Sequence, residues 1–322
     1  MNIWNKLKKP IICLAPMAGA TDTVFRQIVT DLGKPDLMMT EFLCVDQLYS
    51  PGSKAIQQLL EYAEKERPII AQIWGVTPEL FHNAAQMIVE FGFDGVDLNM
   101  GCPEKSVIKR GACSALIKDP MLAGEIIQAT KEGVAGKIPV SVKTRIGFDE
   151  IVTEEWSRFL LSQKIDALIV HGRTTKELSK VECHWNEIGK VVKMRNEMGV
   201  DTPIIGNGDV LNLEDAEGKI KKYKVDGIMI GRGVFKDPWV FNEKHDISMT
   251  SPKEKVKLMK KHIALYQDIW GEEKNYSELK RFYKIYVNGF PGAAKIREKL
   301  MKTENFEGVL SLIEKDLLPN LS

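Results

Sequence analysis

The feature that most constrains this chain is a repeated alternation. Eight short apolar runs, each followed by a helical pattern, succeed one another before Pro238-Trp239. The runs are 11–17, 36–42, 68–75, 95–101, 139–147, 167–173, 203–209 and 227–233. Their apolar portions are near-continuous, as in IICLA, ALIV and GIMIG, which suits parallel strands covered on both faces. Helix starts are marked between them. Thr77-Pro78 and Asp119-Pro120 each set a capping residue before a proline at the first helical position, and Ser53 and Asn186 are candidate caps for two more helices. No G-x-G-x-x-G follows any strand, and Gly136-Lys137 lacks the spacer of a P-loop. Strand-helix repeats without a dinucleotide turn favour a closed (β/α)8 TIM barrel of the α/β class over a doubly wound sheet.

A barrel takes roughly 250 residues, and this chain has 322. The surplus lies at the C-terminal end. A polar stretch over 245–251 reads as a linker, and helical patterns then fill 252–270, 277–287, 293–302 and 306–317. The expected organisation is a catalytic barrel over 1–244 and a small all-helical domain over 245–322. So small a bundle is expected to dock on the barrel. Between Thr250 and Lys302, 13 Lys/Arg stand against 6 Asp/Glu, a surplus of +7 in a chain of net charge +1. A basic appendage on an acidic body is the asymmetry of a polyanion binder, although a solvated lysine-rich helix face has the same composition.

Other classes are disfavoured. No apolar run is long enough for a signal peptide or a membrane span, so a cytoplasmic address and no membrane partner are expected. Cys13, Cys44, Cys102, Cys113 and Cys183 are odd in number and form no C-x-x-C pair. Neither a disulfide framework nor a metal site is expected. Oligomeric state is left open, and a monomer is compatible with the sequence.

Barrel chemistry belongs at the C-terminal ends of the strands. Here polar or special residues recur at those ends: Pro16, Met17 and Ala18; Gln72; Asn99 and Cys102; Lys143 and Arg145; His171 and Arg173; Asn207, Gly208 and Asp209; Gly231 and Arg232. Strand period 2 puts Lys143 with Arg145, and His171 with Arg173, on one face each. Charges facing the helix layer would be costly, so these point into the barrel mouth and imply an anionic or electron-rich ligand. The Gly-rich turns at 206–208 and 231–233 fit the phosphate seat of the fold, with Arg232 as an added donor. Phosphate at that end, Lys143 in mid-mouth and the Gln72 amide together suit flavin mononucleotide (FMN). A phosphorylated metabolite without flavin would use the same seat. Cys102, between Gly101 and Pro103 on a turn past a strand, is a candidate general acid, since an ordinary thiol titrates at about 8.5.

The motifs LAPMAGATD, DLNMGCP, SVKTRIG, VHGRT, IIGNGD and IMIGRG, in this order, closely resemble the tRNA-dihydrouridine synthase family over roughly residues 11–241. The helical C-terminal region resembles that family's tRNA-binding domain more loosely. The resemblance implies an FMN enzyme that uses NADPH to reduce the C5=C6 bond of particular uridines in tRNA. It implies Cys102 as the proton donor and Asn99 in the pocket for the flipped base. Arg145 and Arg173 would be shared among flavin, uracil and RNA backbone. The FMN contacts it implies are Pro16, Met17, Ala18, Gln72, Lys143, His171, Asn207, Gly208, Asp209, Gly231 and Arg232. One departure is Gly111-Ala112-Cys113, where relatives commonly carry Gly-x-Gly. Two alternatives stay open: an FMN barrel acting on a small conjugated or pyrimidine substrate, and a tRNA-binding protein without catalysis.

Overall fold

In the computed structural model, which describes residues 2–48 and 57–321, a parallel sheet rolls into a barrel. Its strands are β1 (Ile11–Leu14), β2 (Met38–Met39), β3 (Leu43–Cys44), β4 (Ile69–Trp74), β5 (Gly95–Met100), β6 (Val140–Arg145), β7 (Ala167–His171), β8 (Ile204–Asn207) and β9 (Gly227–Ile230). Strands β4 to β9 pair in sequence order, and β9 returns to β1. A bridge between Cys13 and Leu37 closes the remaining seam. The second expected strand is present as two fragments, β2 and β3, both paired with β4. Polar side chains explain the break. The Gln72 N–H donates to the Thr40 hydroxyl at 3.1 Å, where a strand carbonyl would otherwise accept it.

Alternation along the strands sorts two apolar layers. Ile11, Cys13, Leu37, Met39, Ile70, Ile169, Ile205 and Met229 cluster inside the barrel with Trp4. The intervening residues, such as Leu14, Met38, Leu98, Val142, Val170 and Ile230, pack outward in a larger cluster under the helices. Polar inward positions begin beside this plug, at Asp97 and Ser141 opposite Ala167, and continue to the strand ends.

The Asp119 carboxylate caps helix Pro120–Val134 as expected, accepting from the Leu122 N–H. Thr77 occupies the cap of Pro78–Glu90, but its hydroxyl bonds Asp46 instead. Asn186 is not a cap. Helix Trp185–Glu197 starts one residue earlier, where the Trp185 indole N–H anchors to the Gly208 carbonyl at 2.9 Å. Ser53 lies outside the described residues.

The C-terminal region holds helices Pro252–Trp270, Tyr283–Tyr286, Ala293–Met301 and Phe306–Leu312, with no strand among the described residues. Ser251 and Glu254 form a reciprocal capping box at the first of them. This region rests on helix Thr23–Leu32, the one that leaves β1. Phe282 stacks on Phe25 at 5.3 Å, the Trp270 indole donates to Asp22, and Lys261 pairs with Asp31. Arg281 donates to the carbonyl of Gly19, whose φ of +68° and missing Cβ leave room for the guanidinium. The helices thereby sit beside the barrel mouth.

Candidate active site

Strand register sets the polar residues in successive rows towards the strand ends. Gln72 lies opposite Asp97, Asp97 opposite Ser141, Asn99 opposite Lys143, Arg145 opposite His171, and His171 opposite Asn207. Asp97 is fully buried and accepts hydrogen bonds from Gln72 Nε2 at 2.7 Å and Ser141 Oγ at 2.6 Å. Burial pushes its pKa up to about 6, against those hydrogen bonds and the Lys143 charge. The Gln72 carbonyl accepts from Asn99 Nδ2 at 2.9 Å, and Asn99 Oδ1 accepts from the backbone N–H of Gly101 and of Cys102. The Arg145 Nε–H donates to the Gly101 carbonyl at 2.7 Å. A buried carboxylate thus fixes, through two amides, the turn that carries the thiol.

Cys102 is half-buried. The neighbouring Cys113 thiol, the Glu104 N–H and the Arg145 charge all favour its thiolate, Cys113 most strongly. Together they pull its pKa down to about 7 against the opposing effect of burial. Lys143 falls to about 8 because burial and the neighbouring Arg145 disfavour its charge, while Asp97 supports it. His171 is held neutral, first by burial and then by Arg145, Lys143, Arg173 and Arg232 around it.

A cavity of about 420 Å³ opens above the plug. Pro16, Met17, Lys143, His171, Arg173, Asn207, Gly208, Asp209, Gly231 and Arg232 line it, so these expected residues are brought together. Gln72, Asn99, Arg145 and Cys102 form the neighbouring hydrogen-bonded wall, and Ala18 is exposed at the rim. Gly208 has φ of +123°, and a Cβ there would lie 2.5 Å from Cys183 Sγ, so the turn needs glycine. Arg232 is mostly exposed and only 3.5 Å from Asp209. Arg173, by contrast, is buried between the Val181 carbonyl and the Asp209 carboxylate. Arg145 is buried too, and also reaches the carbonyls of Thr174 and Leu178.

Several functional neighbours escaped the sequence reading. Asp97 and Ser141 were readable in principle, since each lies two residues before Asn99 or Lys143 on the same strand face. Lys236 lines the same cavity from the helix after β9. It also borders a second cleft of about 570 Å³ with Ala20, Phe235, Arg281, Phe282 and Lys284, where the C-terminal helices meet the barrel. The thiol-thiol contact had no sequence signal beyond the extra cysteine.

A family model described as Dihydrouridine synthase matches residues 13–321. A Staphylococcus aureus (strain COL) protein named Probable tRNA-dihydrouridine synthase is 40% identical over 316 residues, covering 97% of this chain and 95% of that protein. The Bacillus subtilis (strain 168) Probable tRNA-dihydrouridine synthase 2 is also 40% identical over 316 residues, covering 97% and 96%. Among solved structures, Morphinone reductase shares the fold at a TM-score of 0.53 and 11% identity, covering 74% of this chain and 86% of that one. The profile runs through the barrel, the Cys102 turn and the C-terminal helices alike, and the chain belongs to the dihydrouridine synthase family of enzymes.

Proposed function

We propose that this protein reduces the C5=C6 bond of particular uridines in tRNA, with FMN in the barrel mouth and NADPH as the reductant. The observation that carries the reading is Lys143. It is a cation lining the cavity with no hydrogen-bond partner among the described residues, between the glycine turns and an ionisable thiol. FMN bound here would supply the hydride that reaches C6 of the uracil. The donor set fits it: Arg232 and the turns at Gly208 and Gly231 suit the phosphate, and Lys143 with the Gln72 amide suits the ring.

Cys102 would hold the proton for C5 and release it to the base. Arg145 positions the Gly101-Cys102 turn and stabilises the thiolate left behind. Asn99 spends its oxygen on the turn, and it borders the space for the extruded base. Arg173, locked by Asp209, shapes the wall instead of swinging toward RNA. A stacked uridine cannot reach a barrel mouth, so it must be flipped out at a cost of a few kcal/mol. Contacts elsewhere offset that cost, and residues 245–322 form the tRNA-binding domain that makes them. No helix among the described residues is long and apolar enough to cross a membrane. The proposed encounter with tRNA takes place in the cytoplasm.

The test is reconstitution. Purified protein should carry FMN, and with NADPH it should form dihydrouridine in an unmodified tRNA transcript. Lys143→Gln should lose most of the flavin during purification. Absence of flavin, or a flavin-loaded enzyme that leaves the transcript unchanged, overturns the reading.

A further inference from the structure

Beyond its effect on the Cys102 pKa, the Cys113 thiol is given no step in the chemistry above, yet its position is strongly determined. Cys113 is fully buried with Val107 and Ala112, and this small apolar cluster packs against Cys102, Trp74 and Val76. Its backbone is left-handed at φ of +53°, uncommon for any residue but glycine. The following residue ties the two segments together. Ser114 donates its hydroxyl to the Cys102 carbonyl at 2.8 Å, and its N–H donates to the same oxygen. The intervening loop is itself anchored, with Arg110 paired to Asp46 at 2.7 Å and lying over the Trp74 ring. Two cysteines eleven positions apart are thus packed into one small apolar cluster, Cys102 half-buried at its edge and Cys113 fully buried within it.

From this arrangement we infer that Cys102 and Cys113 form a reversible disulfide when the protein meets hydrogen peroxide, with Cys102 as the peroxide-reactive thiol and Cys113 as the resolving one. The Cys102 thiolate attacks one peroxide oxygen, the O–O bond breaks, and hydroxide leaves to become water. Cys102 is then a sulfenic acid. The Cys113 sulfur attacks Cys102 Sγ, the S–O bond breaks, and the departing hydroxide takes the Cys113 proton as a second water. Two electrons pass from the thiol pair to peroxide. A low-pKa, accessible thiol beside a resolving thiol is the arrangement redox-sensing cysteines share. The bond removes the proton that C5 would receive, so turnover stops until a thiol reductant restores it. Only this last consequence rests on the proposed function; the thiol chemistry is read directly on the protein.

The test uses the flavin-loaded protein treated with hydrogen peroxide, quenched by alkylation and digested with trypsin. Cuts at Lys105, Lys109 and Arg110 separate the two cysteines. A disulfide therefore appears as a cross-linked peptide pair lacking two hydrogens, and dithiothreitol should dissolve it. In Cys113→Ser, Cys102 should instead accumulate as sulfinic acid that dithiothreitol does not reverse. Cys102 remaining alkylatable, pairing with Cys44, or returning to the free thiol equally well in Cys113→Ser would each overturn the inference. Loss of dihydrouridine formation in step with the cross-link supports the regulatory consequence. A cross-link formed without any such loss confines the failure to the proposed function.

Discussion

As the proposed proton donor, Cys102 meets the most exacting requirement of any single side chain. A general acid must hold its proton, and the Cys113 thiol, the Glu104 N–H and the Arg145 charge pull the pKa of this one down to about 7. The proton-transfer step should therefore be fastest below pH 7 and fall as pH rises through that value, because the thiolate has nothing to donate. Stopped-flow single turnovers of pre-reduced enzyme with tRNA, taken from pH 6 to 9, read this directly. Cys102→Ala should slow the step by roughly 10²–10⁴-fold and flatten the profile, while NADPH still reduces the flavin. A variant that turns over tRNA at the parental rate would make Cys102 structural. The charge of Arg145 and Arg173 was legible in the sequence, and so was their place at strand ends. Their partners were not. Both guanidiniums are taken up by carbonyls of the 174–181 loop, and no local pattern announces those contacts.

Elements were legible where their own residues suffice to form them. The near-continuous apolar runs of β4 and of β7 to β9 are strands because both faces are covered, and the Ser251-Pro-x-Glu254 start needs nothing outside itself. The second strand was misread as one piece because its interruption comes from another strand, through the Thr40 hydroxyl. The first helix, Thr23–Leu32, depends on a similarly remote partner. Its Arg26 is buried against Glu66 at 2.5 Å, both side chains fully enclosed. The remaining donors of Arg26 reach the carbonyls of Thr21 and Glu61. Glu66→Gln leaves that guanidinium enclosed without a counter-charge, and should cost about 3–5 kcal/mol in urea unfolding. Replacing Arg26 by Met together with Glu66 by Leu should cost much less, since no charge is then stranded. Equal losses in the two proteins would show that packing, and not charge, is what the pair contributes.

At the scale of the whole molecule, the +7 surplus is partly neutralised. Lys260, Lys261, Lys274 and Lys299 each pair with a carboxylate outside the 250–302 segment. Cations that face open space gather elsewhere, at the cleft where Lys236 from the barrel meets Arg281 and Lys284 from the helices. Reversing Lys236 and Lys284 together should weaken tRNA binding and flatten its salt dependence, by roughly 0.7–0.9 units of log K per log salt for each phosphate left without its cation. Titrations at several salt concentrations measure it. Unchanged slopes would leave the cleft a seam between helices and barrel, with the RNA held by the mouth alone.

Beneath that mouth the barrel is filled. Inward rows from Ile11 to Met229 close over Trp4, and the functional groups stand on the one floor this creates. On the proposed function, a mouth closed from below would impose a queue. The spent nicotinamide would have to withdraw before a flipped uridine could enter, and the reduced base would have to leave before the next dinucleotide came in. Electrons delivered by one visitor would wait in the protein for another, so the two would never need to meet. Abundant tRNA would then compete with NADPH for the doorway, and the rhythm of the enzyme would be set by traffic as much as by bond-making.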